Sequence, residues 1–326
     1  MNIYKEVMQD IARDGAHAQR EKDGRIQQVY ISIPRIQEID MQIADSGIKF
    51  ARLALGSKDI KAETEALKLQ ISSLQEERRA LLASQYPEGY LNLQNICPHC
   101  HDTGHVNGSR CNCVKVRIIN KYLQISGITT VLEYENFENF DFRYFSEQRD
   151  PALGISPREN IQAIYKEAMD FVYSFGTQYT NLLFYGGAGL GKTFLCHCIA
   201  KDIIDMGVPV LYVSANRLFK NIENARFNKD EHDPTELELY YTSPLLIIDD
   251  LGTEFSTIVT QSELFNIINT RLMERLATII STNLSFKDME AMYSSRVVSR
   301  LFGGYKSFKF IGSDIRIAKK VKTAGF

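Results

Sequence analysis

The sequence predicts an α/β chain in which a five-stranded parallel sheet covered by helices follows a helical and metal-binding segment. Three observations carry this. Strand-length apolar runs, led by Leu182-Leu183-Phe184-Tyr185 and Leu245-Leu246-Ile247-Ile248, alternate with helical patterns from Pro157 onward. Such near-continuous apolar strands belong to parallel sheets buried on both faces. The first strand enters the glycine-dense turn Gly186-Gly187-Ala188-Gly189-Leu190-Gly191 and leaves it through Lys192-Thr193 into a helix. Two close cysteine pairs, Cys97/Cys100 and Cys111/Cys113, stand ahead of the sheet.

Composition sets the frame. The 326 residues have room for more than one domain, and 44% apolar with 24% charged residues is ordinary for a globular chain. A formal net charge of −2 argues neither for nor against nucleic acid. No apolar stretch is long enough to span a membrane, and Met1-Asn2-Ile3-Tyr4-Lys5-Glu6 lacks a signal-peptide pattern, so the expected compartment is the cytoplasm. Six cysteines there favour metal binding or free thiols over disulfides.

Residues 1–90 read as helical. Pro34 suits the first turn of a helix reaching about Leu55, and Gly56-Ser57-Lys58-Asp59 interrupts it. Ile60, Leu67, Leu74 and Leu81 then recur seven apart with Ile71 between them, the stripe of a helical hairpin or short coiled coil. An internal helix pair and a partner-docking surface both fit.

Residues 91–130 hold the cysteine pairs, which flank a loop containing Gly104 and Gly108. Each pair can direct two thiolates to one ion, and tetrahedral sulfur ligation suits Zn²⁺. The second pair is spaced by one residue rather than two. His105 is an alternative to one sulfur, with His99 and His101 less well placed; a redox pair or unligated thiols are the other readings. Residues 114–128 suggest a short amphipathic helix. The connector, 131–157, is aromatic and acidic, with Tyr134, Phe137, Phe140, Phe142, Tyr144 and Phe145 among carboxylates. Its rings are expected to pin it onto the following domain, 158–326.

The glycine turn matches G-x-x-x-x-G-K-[ST], with Gly186 and Gly191 as the outer glycines. Phosphate oxygens need inward-pointing backbone N–H groups and a helix N-terminus, and glycine keeps side chains out of their way. Lys192 can reach the β- and γ-phosphates of ATP and Thr193 can offer its hydroxyl to Mg²⁺. A dinucleotide-binding turn would not call for Lys-Thr, and no acidic strand-end residue follows at the usual separation. Further strands are expected at 208–213, 244–250, 277–283 and 307–311. The third ends in Asp249-Asp250. Asp249 is placed to hold Mg²⁺ and Asp250 to deprotonate an attacking water. Asn283, closing the fourth strand, is placed to hold that water or the γ-phosphate. Cys196-His197-Cys198 occupies three consecutive helical positions that cannot converge on one ion, so these residues are expected in the core.

Taken together, Gly-Gly-Ala-Gly-Leu-Gly-Lys-Thr, Leu-Leu-Ile-Ile-Asp-Asp-Leu-Gly and Ser-Thr-Asn resemble the AAA+ ATPases, and within them the DnaC/DnaI family of bacterial replicative helicase loaders. Ser295-Arg296-Val297-Val298-Ser299-Arg300-Leu301 is similar to the family's arginine-finger stretch. The resemblance implies that Arg296 reaches a neighbouring subunit's nucleotide in a head-to-tail homo-oligomer. Asp314-Ile315-Arg316 is similar to its sensor-2 stretch, which implies that Arg316 contacts the γ-phosphate in cis. A cysteine-rich zinc module ahead of the ATPase domain resembles the Gram-positive-type loaders. The resemblance covers about residues 90–326 and implies loading of a hexameric DnaB-type helicase onto single-stranded DNA. Most AAA+ proteins carry glutamate where Asp250 stands, so slow turnover is expected; Glu254 is the alternative base. Transposition helper ATPases share the Asp-Asp ending, and a nucleotide-ordered adaptor without catalysis is a third reading.

Residues 286–326 carry nine Lys/Arg against three acids. A nucleic-acid face, with Tyr305, Phe308 or Phe310 stacking on bases, and a solvated basic helix both fit.

Overall fold

The computed structural model describes residues 3–55, 61–227, 234–254 and 257–317. It divides into two compact units, one of residues 8–111 and one of residues 1–7 with 112–326.

The first unit takes helix α1 (Ile3–Ser32) from residue 8 onward, then α2 (Pro34–Leu55) and α3 (Lys61–Ala83). The pairs Arg35–Glu77 (2.9 Å) and Arg78–Asp40 (2.6 Å) set α2 and α3 antiparallel. Tyr30 also donates to Asp40, at 2.9 Å. Val29, Ile33 and Ile36 form a small core with Leu81, Leu82, Tyr86, Tyr90 and Leu91 packed on it. The seven-residue stripe therefore closes a helical hairpin, with Leu74 buried and Leu67, Ile71 and Leu81 half-buried. Gly56 to Ile60 lie outside the described residues. Strands β1 (His105–Val106) and β2 (Ser109–Arg110) pair as a tight antiparallel hairpin between the cysteine pairs.

The second unit opens with α4 (Asn112–Ser126) and the short α5 (Thr129–Leu132), then α6 (Pro157–Ser174). The remaining elements are β3 (Leu182–Tyr185), α7 (Lys192–Asp205), β4 (Val210–Ser214), α8 (Ala215–Phe227), α9 (Pro234–Thr242), β5 (Leu245–Leu251), α10 (Ile258–Met273), β6 (Ala277–Thr282), α11 (Phe286–Met292), α12 (Ser295–Gly304) and β7 (Lys306–Lys309). The strands form one parallel sheet in the order β4-β5-β6-β3-β7. This is the five-stranded parallel sheet expected from the apolar runs.

Local chemistry places the boundaries. Ser156 and Glu159 form a capping box that starts α6, with Pro157 in its first turn, and Ser285 with Asp288 does the same for α11. The interior strands are buried along most of their length, whereas β7 carries a lysine at each end and is largely exposed, as suits an edge. The opposite edge, β4, is covered by α4, and the Tyr212 N–H donates to Ser126 Oγ at 3.0 Å.

Five of the six connector rings pack as expected, whereas Tyr134 is exposed. Phe140 lies 5.1 to 6.0 Å, centroid to centroid, from Phe142, Phe145, Tyr165 and Phe194. Cys196 and Cys198 are core residues, also as expected. The base-stacking expectation fails for two of the three rings: Tyr305 and Phe310 are buried and cannot stack on bases, whereas Phe308 is half-buried with its ring 6.0 Å from that of Phe184. Burial against the sheet takes those two out of reach of bases. Lys319, Lys320 and Lys322 lie outside the described residues.

Candidate nucleotide and metal sites

Strand β3 delivers the glycine turn to the C-terminal edge of the sheet, and Gly191, at φ +92°, is the N-cap of α7. Gly186 sits at φ +139°, and a Cβ there would stand 2.3 Å from the Phe310 carbonyl oxygen. The loop lies so close to the end of β7 that only glycine fits. Phe310 N–H donates to Tyr185 O at 2.7 Å, and Ile315 N–H donates to Gly189 O at 2.9 Å, tying the 310–316 segment to the loop.

Lys192 is buried. Its ammonium donates to Gly186 O (2.7 Å), Gly187 O (2.6 Å) and Asn283 Oδ1 (2.6 Å). Burial holds its pKa below the ordinary lysine value, opposed by the charges of Asp250 and Asp249. Asn283 Nδ2 donates to Asp250 Oδ1 at 3.3 Å, so loop lysine, Asn283 and Asp250 form one chain of contacts.

The two carboxylates at the end of β5 differ. Asp249 is buried and accepts from Thr193 Oγ1 at 3.2 Å, from the Tyr212 hydroxyl at 2.6 Å and from Ser281 Oγ. Burial and the Asp249 charge hold Tyr212 far above the ordinary tyrosine pKa, so it stays a donor. Asp250 sits at φ +55°, where the β5–β6 register shifts, and its N–H donates to Ser281 Oγ at 2.9 Å. Its side chain enters the cleft. Burial, then the Asp249 charge, raises its pKa.

This backbone accounts for the residue type at 250. Asp and Asn tolerate left-handed φ better than longer side chains do. The alternative base, Glu254, is buried and committed elsewhere. It accepts from Gly252 N at 2.9 Å and from the Tyr293 hydroxyl, and so shapes the loop rather than the cleft.

Residues 188–194, Glu135, Asp250, Asn283, Ile315 and Arg316 line one cleft of about 470 Å³. Arg316 is held by Asp314 at 3.1 Å through Nε and Nη2. Arg296 is exposed on the first turn of α12 and is not part of the cleft wall. The glycine turn, Lys192, Thr193, Asp249, Asp250, Asn283 and Arg316 are thus brought together, and Arg296 is not. Sequence reasoning missed Tyr212 and Glu135. Nothing in a near-continuous apolar strand marks one tyrosine as reaching a carboxylate on the next strand.

The cysteines converge. The Sγ atoms of Cys97, Cys100, Cys111 and Cys113 all lie within 4.8 Å of one another. Zn–S bonds of about 2.3 Å in a tetrahedron give S···S edges of about 3.8 Å. The Cys97–Cys111 separation is 3.8 Å, so the donor set fits a Zn²⁺ ion. Asp102 orients the first pair, accepting from Ile96 N (2.9 Å) and Cys97 N (2.8 Å). His105 is not among the converging groups; its Nδ1 lies 3.3 Å from Thr103 O.

A parallel sheet in this order, with a phosphate loop on the strand between β6 and β7 and a carboxylate pair at the end of β5, defines a P-loop AAA+ ATP-binding protein. The family model described as "IstB-like ATP binding protein" matches residues 115–301, more than half of the chain. The protein belongs to that family.

Among relatives, the chromosomal replication initiator protein DnaA of Bordetella pertussis (strain Tohama I) is 34% identical over 132 residues, covering 40% of this chain and 27% of DnaA. The replicative helicase loader DnaI of Bacillus subtilis is 26% identical over 126 residues, 38% of this chain and 40% of DnaI. The chain therefore spans about a quarter of the DnaA relative it matches. The solved structure of the DnaC helicase loader aligns with 56% of this chain and all of its own, at 20% identity and a TM-score of 0.46. Among the described residues no helix is long and apolar enough to cross a membrane.

Proposed function

We propose that this protein is an ATPase that loads a replicative, hexameric DnaB-type helicase onto single-stranded DNA at the initiation of replication. The observation that carries the reading is the combination of a four-cysteine cluster and a helical hairpin ahead of an ATP-binding core. The match to the helicase loader DnaI supports it. Residues 1–90 act as the partner-binding region, 91–130 as the zinc module, 131–157 as the connector and 158–326 as the ATPase domain, working in the cytoplasm.

Hydrolysis is in-line attack of water on the γ-phosphate. Asp250 takes the proton and Asn283 orients the water. Lys192 and Arg316 stabilise the equatorial oxygens, joined by Arg296 from a neighbouring subunit in a head-to-tail assembly. Asp249 and Thr193 are the residues that would hold Mg²⁺, which supplies charge neutralisation of the β- and γ-phosphates. The cysteine cluster has no open position and is structural.

The test is twofold. Lys192→Ala is expected to abolish ATP binding, whereas Arg296→Ala spares binding and impairs turnover in the assembly. Equal loss of affinity in both variants sinks the finger role. Co-purification with a replicative helicase, set against a transposase, tests the partner. The family model's description favours a second reading, a helper ATPase of transposition, and capture of transposase alone would establish it.

A further inference from the structure

Asp249 is held from three sides, and one of the holders lies outside every nucleotide motif. Thr193 and Ser281 donate to Oδ1, and the Tyr212 hydroxyl donates to Oδ2 at 2.6 Å. Tyr212 belongs to β4, beside β5, where its Cα partner is Ile247 and that of Asp249 is Ser214. Its side chain therefore runs along the sheet to the carboxylate two positions on. The residue is 7% exposed, and both of its ends are fixed. Its N–H is bonded to Ser126, and its ring lies 4.7 Å from the His197 ring at 31°. His197 is itself held by Glu135, Nδ1 to Oε2, at 2.6 Å.

We propose that Tyr212 is a positioning residue for the magnesium site, fixing the Asp249 carboxylate in the orientation that receives the ion. This rests on the reading of the cleft as a Mg²⁺–ATP site. The carboxylate torsion of an aspartate is broad and soft, so an unrestrained Asp249 samples orientations that do not serve the metal. Thr193 and Ser281 both donate to Oδ1, so the Tyr212 hydroxyl is the side-chain donor that fixes the other oxygen. The Tyr212 hydroxyl is spent on Asp249, through which it bears on the cleft.

The experiment uses the full chain and a fluorescent ATP analogue, with affinity measured in EDTA and then across a Mg²⁺ titration. Tyr212→Phe keeps the ring against His197 and removes only the hydroxyl. Loss of an outer-shell partner characteristically lowers metal affinity about 10- to 100-fold. The half-saturating Mg²⁺ concentration is expected to rise by about tenfold or more, with affinity in EDTA within about twofold of wild type.

In an Asp249→Asn background the tyrosine substitution should add nothing to the Mg²⁺ dependence, whereas a purely structural role would add its full defect there. That cycle also holds if Y212F is less stable, because both variants are compared in folded, circular-dichroism-matched samples. An unchanged Mg²⁺ dependence in Y212F, with a normal response in wild type, overturns this inference alone. A wild-type chain with no Mg²⁺ response overturns the cleft reading, and the inference with it.

Discussion

The closest approach of backbone to the glycine turn falls at Gly186. A methyl at this position would lie 2.3 Å from the Phe310 carbonyl oxygen, a backbone atom that no rotamer change can move. Restoring an ordinary contact requires a relative shift of about 1 Å between the loop and the end of β7. That shift breaks the 2.7 Å bond from Phe310 N–H to Tyr185 O, at a cost of about 1 kcal/mol. Holding alanine at φ +139° costs about 1–3 kcal/mol more. Gly186→Ala should therefore lose about 2–4 kcal/mol, or about 5–15 °C in melting temperature for a unit of this size.

Gly187, next in the chain, has no positive φ, and its added Cβ would meet only Leu190 Cδ1 at an ordinary 3.7 Å. Gly187→Ala should leave stability unchanged or raise it by about 0.4–1 kcal/mol. Differential scanning fluorimetry of both variants without nucleotide separates the effects. Equal melting temperatures for the two would refute the argument that the approach of β7, rather than glycine content, constrains this loop.

Further expectations follow from the carboxylates and the cysteines. Burial and the neighbouring Asp249 raise the folded-state pKa of Asp250 above its unfolded value. The native state then binds more protons between the two values, and stability falls as pH rises through that window. Asp250→Asn should lose turnover yet melt above wild type at pH 7. The gap should close as pH drops below the unfolded aspartate value of about 3.9; a variant that melts lower at pH 7 contradicts the sign. The same raised pKa places the acid limb of the ATPase pH profile above the usual carboxylate range, as a rate–pH profile can check.

For the cysteine cluster, elemental analysis should give one zinc per chain, and chelation or Cys97→Ser should lower protection from proteolysis within 91–113. Unchanged cleavage on metal removal would mean that the cluster folds without an ion.

How much of this was written in the sequence can be seen residue by residue. The strands were legible because burial on both faces forces unbroken apolar runs, and the phosphate loop because glycine spacing and Lys192-Thr193 are local requirements. The cysteine set was legible for the same reason, since chain neighbours supply the ligands.

Other features depend on which strands become neighbours, and pairing energies between distant segments leave no trace in a local pattern. Tyr212 reaches Asp249 only because β4 lies beside β5. Tyr305, Phe308 and Phe310 looked like free rings until β7 was placed against β3, where two of them became core. Aspartate rather than glutamate at 250 looked like a departure from a motif. The left-handed backbone at the shift in register gives it a reason, and that conformation exists only once β5 and β6 are paired. The sequence determined the chemistry by itself, because ligand types and spacings are local. The tertiary structure decided which groups hold that chemistry in place, because orientation in a buried site is set by neighbours far away along the chain.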